Sequence, residues 1–186
     1  MGPPPVRKAV RVDLRYERVA TAILHQQLAG AAAATITKRV VDLVEGSFTP
    51  ERIAALREGD LRGCGVSGAK AAALFDLSQR SLDGRLDFSS MGRKSNEVVL
   101  AELVSTRGIG EWTAQMFLMG ALGRADIWPT GDLGVRSGWA IIHRLDDAPT
   151  AKQLEPLANH LSPYRSDVAW YCWRAVDLER AGAVPR

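Results

Sequence analysis

Apolar residues recur every three or four positions along most of the chain, and nowhere do they alternate with polar ones for long. That period puts them on one face of an α-helix. Val19, Ile23 and Leu24 form such a stripe across residues 16–28. Ile36, Val40, Val41 and Val44 form another across 31–44, and Gly30 is placed to separate the two. Thr49-Pro50-Glu51 has a capping residue followed by proline at the first helical position. Ser67 caps a helix over 69–82 that Gly84 ends, and Val99, Leu100, Leu103 and Val104 share a stripe in 96–105. Further helices are expected over 111–122, 133–143, 150–161 and, after Pro163, 166–180. Period-2 runs of β-branched residues are missing from this pattern, so the predicted fold class is all-α. There is no fixed-period repeat, although Gly63-Cys64-Gly65-Val66-Ser67 faintly echoes a later Gly-Ile-Gly.

A length of 186 residues fits one domain, or two small lobes sharing a core. Residues 1–13, with three consecutive prolines, are expected to be a flexible lead, and 14–186 the helical domain with two subdomains. Apolar residues make up 46% and charged residues 24%, which excludes wholesale disorder. Cys64 and Cys172 are too few for a disulfide framework, a zinc ribbon or a four-cysteine cluster, and point to a reducing, cytoplasmic setting. Neither an export signal nor an apolar run of membrane-spanning length is present, so no membrane partner is expected. With 24 basic against 21 acidic residues, the net charge of +3 permits a nucleic-acid partner without arguing for one. His25, His143 and His160 lack metal-binding spacing.

Two segments carry candidate chemistry. In Leu103-Val104-Ser105-Thr106-Arg107-Gly108-Ile109-Gly110-Glu111-Trp112-Thr113-Ala114, an apolar helix end meets a new helix through Gly-hydrophobic-Gly. The glycines allow backbone conformations and approaches that a Cβ would block. The new helix starts with N–H donors suited to a phosphate oxygen. A plain αα-corner with no ligand fits the same residues. In Asp126-Ile127-Trp128-Pro129-Thr130-Gly131-Asp132-Leu133-Gly134-Val135-Arg136, Asp132 stands where an N-cap belongs, and capping alone would explain it. A carboxylate there, walled by Trp128 and Pro129, could instead stabilise positive charge on a sugar C1′ and orient a water.

Together, Gly108-Ile109-Gly110-Glu111-Trp112-Thr113-Ala114 and Trp128-Pro129-Thr130-Gly131-Asp132-Leu133-Gly134-Val135-Arg136 resemble the helix-hairpin-helix DNA glycosylase superfamily. Within it they are similar to the alkylation-repair branch, the 3-methyladenine DNA glycosylase II family. Ile23-Leu24-His25-Gln26-Gln27-Leu28-Ala29-Gly30-Ala31-Ala32 resembles that family's Gln-Gln segment. Pro163-Tyr164-Arg165-Ser166, with Trp170-Tyr171-Cys172-Trp173-Arg174, resembles its closing helix. The resemblance implies a helix-hairpin-helix glycosylase fold, two helical lobes flanking a cleft. It implies Asp132 as the catalytic acid. It also implies that Trp112, Met116, Trp173 and Trp128 line the substrate pocket. Gln26, Gln27, Leu28, Arg107, Gly108, Ile109, Gly110 and Thr113 are implied to bind DNA, with Gln27 or Leu28 plugging the gap left by a flipped nucleotide. A monovalent cation, Na+ or K+, is implied at the hairpin near Thr106 and Gly108, and no other cofactor.

Departures from the family pattern sharpen the expectation. Arg107 replaces a common proline, and Met116 stands where some relatives carry a second aromatic. Trp112 occupies the position of the lyase lysine of bifunctional relatives, which implies hydrolysis alone. The expected protein is a cytoplasmic, nucleoid-associated, monomeric glycosylase. It would flip and excise alkylated purines (3-methyladenine and 7-methylguanine type) from double-stranded DNA. A non-catalytic module binding damaged or branched DNA, and a sister glycosylase for uracil or oxidised bases, remain alternatives at this stage.

Overall fold

A computed structural model describes residues 1–28 and 30–183; Ala29 and residues 184–186, included in the expected helical domain, lie outside the described residues. Among the described residues there are ten α-helices, three short 3-10 turns and no strand, as the apolar period predicts. No helix among them is long and apolar enough to cross a membrane. The chain folds as two compact units, one of residues 10–122 and the other of residues 1–9 with 123–186.

The first unit contains α1 (Arg15–His25), α2 (Gly30–Leu43), α3 (Pro50–Ala54), α4 (Glu58–Gly63), α5 (Gly68–Leu82), α6 (Asn96–Val104) and α7 (Glu111–Gly120). Helix α5 is its centre and packs against α1, α3 and α4. Its inner stripe, Ala71, Leu74 and Leu77, is fully buried with Ile23 and Leu24 of α1 and Ile53 of α3. Apolar burial of this kind contributes roughly 1.5–3 kcal/mol per large side chain. The caps read from sequence, Thr49 and Ser67, are in place, and the structure adds Ser95. Thr49 accepts from the Arg52 N–H with Pro50 next to it, Ser67 accepts from the Lys70 N–H, and Ser95 from the Val98 N–H. Gly30 is the first residue of α2 rather than a spacer, and α1 already ends at His25. The buried Tyr16 hydroxyl meets Ser78 Oγ at 2.6 Å, and Ser78 Oγ in turn donates to the Leu74 carbonyl.

The second unit contains α8 (Leu133–His143), α9 (Ala151–Leu154) and α10 (Arg165–Arg180), with α8 and α10 packed along their length. The helix expected over 150–161 is only one α-turn followed by a 3-10 segment, Glu155–Leu161. Pro156 explains the change, because it brings no N–H to continue the α ladder. The N-terminal stretch belongs to this unit. Arg7 forms an ion pair with Asp167, and the Gly123 Cα faces the backbone of Lys8 and Ala9 so closely that a Cβ would stand 3.1 Å from the Ala9 nitrogen. Asp126 accepts from Arg165 Nε at 2.6 Å and from Arg165 Nη2 at 2.8 Å. That guanidinium, helped by Ser162, holds the Asp126 carboxyl down at about 2. Asp126 is therefore a structural ion-pair member, as its place in a turn suggests.

Candidate active site

The hairpin lies wholly in the first unit. Helix α6 stops at Val104, the Thr106 N–H donates back to the Leu103 carbonyl, and the Ile109 N–H donates to the Thr106 carbonyl at 3.1 Å. Gly108 has φ 75°, and a Cβ there would stand 2.8 Å from Ala73 Cβ on α5. Both facts demand glycine. Gly110 is different. Its φ of −90° is ordinary for an N-cap, and a Cβ there would meet no atom within 4 Å. The fold does not need glycine at 110, and the space beside it at the start of α7 is open. Gly108→Ala is expected to destabilise the protein by about 1–3 kcal/mol, read as a lower Tm, through backbone strain and overpacking.

The hairpin is fixed from two sides. Asp76 of α5 accepts from the Arg107 N–H at 2.7 Å and from Arg80 Nε at 2.9 Å, and Arg80 reaches Ser105 Oγ. From the other side Gln26 Nε2 donates to the Gly108 carbonyl at 3.0 Å, with Thr113 Oγ1 3.4 Å away. The Gln26 amide, expected to contact DNA, is thus used inside the protein as a brace. Ile109 and Thr113 are buried, so their side chains support the turn from within and do not form its outer surface. Arg107, Gln27 and Leu28 are exposed. Gln27 adopts φ 55°, which turns the chain sharply at the tip between α1 and α2. Lys70 donates to the Leu24 and Gln26 carbonyls at 2.7 Å each, satisfying the free end of α1 and setting the base of that tip.

On α7, Trp112 leaves 48% of its surface exposed, and Met116 follows one turn later on the same face. Met116 lines a pocket of about 160 Å³ with Arg18, Ala22, Thr113, Phe117 and Gly120. Thr106 is buried, and its hydroxyl has no hydrogen-bond partner among the described residues.

The acid is in the second unit. Asp132 is the N-cap of α8, and its Oδ1 accepts from the Val135 N–H at 2.8 Å. The same oxygen accepts from the Trp173 indole Nε1–H of α10 at 3.1 Å. Its capping role and a chemical role are therefore compatible, because the side chain is only half buried. Beneath it, burial and the neighbouring Asp132 charge push the Cys172 thiol up to about 12, which keeps it protonated and unreactive. Trp128 corrects the sequence reading. It is buried, its Nε1–H donates to the Leu154 carbonyl, and its ring packs edge-on to Trp139 at 5.6 Å between centroids. It is a core side chain whose polar edge is already used. Among the described residues no cluster of three or more His, Cys, Asp or Glu is arranged to hold a metal ion.

The Gly108-Ile109-Gly110 hairpin before α7 and the acid Asp132 at the start of α8 are the features that known proteins share or lack. Residues 20–163 match the HhH-GPD superfamily of base excision DNA repair proteins. The chain belongs to that superfamily. This HhH-GPD chain is 33% identical over 166 residues to DNA-3-methyladenine glycosylase 1 of Schizosaccharomyces pombe, covering 88% of the chain and 73% of the relative. It is 32% identical to the putative DNA-3-methyladenine glycosylase YfjP of Bacillus subtilis, covering 87% of the chain and 59% of that protein. Among solved structures, the 3-methyladenine DNA glycosylase Mag1 of S. pombe in complex with abasic DNA superposes with a TM-score of 0.85 at 30% identity, over 100% of this chain and 90% of that one. A DNA-3-methyladenine glycosidase from Bacillus halodurans gives 0.84 at 29% identity, over 95% and 80%.

Sequence reasoning missed Asp76 and Lys70, whose partners are backbone groups far along the chain. It also missed Gly134 and Gly138. For the last two a signal was available, since glycines four apart on one helix mark a face where another backbone can come close.

Proposed function

We propose that the protein hydrolyses the N-glycosidic bond of alkylated purines, of 3-methyladenine and 7-methylguanine type, in double-stranded DNA. The observation that carries the reading is Asp132, an acid at a helix start whose Oδ1 is held by two N–H donors, in a chain of this superfamily. The names of the relatives point the same way.

A base in a duplex must be flipped out before it can be reached. Leu28 or Gln27, exposed at a tip braced by Lys70, would fill the space it leaves. Trp112, about half exposed, would stack against a cationic base, worth on the order of 1 kcal/mol. An N-alkylated purine leaves with the electrons of the broken C1′–N bond and departs neutral, so no general acid is required. Asp132 would stabilise the oxocarbenium-like sugar and guide a water whose oxygen bonds C1′ while its proton is released. The start of α7, from Gly110, would take a backbone phosphate. A monovalent cation at the hairpin would draw on the Thr106 hydroxyl, which has no partner among the described residues, and on the Gly108 carbonyl, and would reinforce that phosphate contact. A cytoplasmic, nucleoid-associated place of action fits the free thiols of Cys64 and Cys172.

Two measurements test this. Single-turnover release from a lesion panel is expected to be far faster for 3-methyladenine and 7-methylguanine than for uracil. Efficient uracil release with none of 3-methyladenine would overturn the substrate class, and binding without any release would favour a non-catalytic module. Replacing Gly110 by leucine is expected to cost the fold at most about 1 kcal/mol. It should weaken damaged and undamaged duplexes alike, because a phosphate contact carries no sequence information.

A further inference from the structure

Two N–H groups converge on Asp132 Oδ1. The Val135 N–H, at 2.8 Å, is what any N-cap aspartate attracts. The Trp173 indole, at 3.1 Å, comes from 41 residues further along the chain and requires α10 to lie unusually close to α8. Two glycines provide that approach. At Gly138 a Cβ would stand 2.0 Å from the Cys172 carbonyl oxygen, so the two helix backbones nearly touch there. One turn earlier, a Cβ on Gly134 would stand 2.9 Å from Trp173 Cδ1 and 3.0 Å from Asp132 Oδ1. It would occupy the notch in which donor and acceptor meet.

We propose that Trp173 is a positioning residue for Asp132, working through its indole N–H and through the space that glycine leaves at 134. The capping bond ties Oδ1 to the start of α8. A second donor from another helix, on the same oxygen, restrains the direction in which the carboxylate is aimed. A group that stabilises developing charge acts best when it is aimed beforehand, and misplacement by about 1 Å can cost on the order of 10²-fold in rate. Trp173 would thus serve the reaction through its edge, whatever stacking its face also provides. The catalytic meaning rests on the glycosylase reading, but the contact itself does not.

Trp173→Phe keeps an aromatic ring and removes the donor. Gly134→Ala keeps both donor and acid, places a methyl group in the notch, and introduces a better helix former. Both variants are expected to release base about tenfold more slowly in single turnover, the effect of losing a hydrogen bond to a charged group. Affinity for duplex carrying an abasic-site analogue should stay within twofold of wild type, a split that general loosening of the fold would not produce. The indole ¹H–¹⁵N resonance of Trp173, assigned by its disappearance in Trp173→Phe, should move upfield in Asp132→Asn and in Gly134→Ala. A resonance unmoved in both, or release at the wild-type rate by both slowed candidates, overturns the proposal. If the wild type releases no base at all, the glycosylase reading has failed, and the resonance still decides whether the indole holds the acid.

Discussion

Asp132→Asn is expected to lower the rate of base release on the order of 10²–10⁴-fold, the usual contribution of one positioned catalytic group. The same variant should melt close to the wild type. Asparagine is as good an N-cap as aspartate, so the bond from the Val135 N–H survives. The side-chain shape is also kept, and the Trp173 indole retains an oxygen to donate to. What disappears is the negative charge that the proposed mechanism sets against the sugar. Single-turnover release on methylated duplex, paired with thermal unfolding and a binding curve, separates the outcomes. Lost release with an unchanged Tm and retained affinity assigns the charge to chemistry. Turnover within a few-fold of wild type would reduce Asp132 to a cap and remove the acid from the proposed mechanism. A large fall in Tm would mean that charge at the start of α8 matters to the fold itself, and Asp132→Ser, a good cap without charge, would then be the cleaner comparison.

Most of the helical layout could be read from the sequence, because helix starts and apolar stripes are local signals. Leu133–His143 falls where the stripe places it, and Ser67 and Thr49 cap as their positions suggest. The weak points are also local in origin. Pro156 lies inside the stripe of 150–161 and removes an N–H that the apolar period does not register. The short helix Glu58–Gly63 has too few turns to show a stripe. At the site, residue type and order singled out Asp132, Trp112 and the hairpin glycines as candidates, but not how each side chain is held. Trp128 shows why. A tryptophan in a Trp-Pro-Thr-Gly-Asp loop looks like a pocket wall until its N–H is found on the Leu154 carbonyl, a contact across 26 residues. Gln26 is the matching case in the first unit, its amide turned onto Gly108, 82 residues away. Gly108 and Gly110 look equivalent in sequence, and only the backbone angle and the proximity of Ala73 separate a glycine that the fold requires from one that it merely permits.

Gly138→Ala is expected to have the largest effect on stability of any glycine-to-alanine change in the protein. Its Cβ would stand 2.0 Å from the Cys172 oxygen, 2.3 Å from the carbonyl carbon and 2.5 Å from the Cα. These are backbone atoms in the middle of α10, so no rotamer change relieves the clash, and the whole helix must move away from α8. Overpacking a core usually costs about 1–3 kcal/mol, and the upper end or beyond is expected where only a rigid helix can yield. Alanine's better helix propensity returns at most about 1 kcal/mol. The net result should be a Tm many degrees lower, measured by calorimetry or circular dichroism. An unfolding curve matching the wild type would show that α8 and α10 are not as close as described. The same displacement would draw Trp173 away from Asp132, since both helices meet along the Gly134–Gly138 face. Base release by the fraction that remains folded should therefore also fall. Gly138→Ala would lose stability and rate together, whereas Gly134→Ala is expected to lose rate alone. That contrast distinguishes the glycine that admits the helix from the glycine that admits the hydrogen bond.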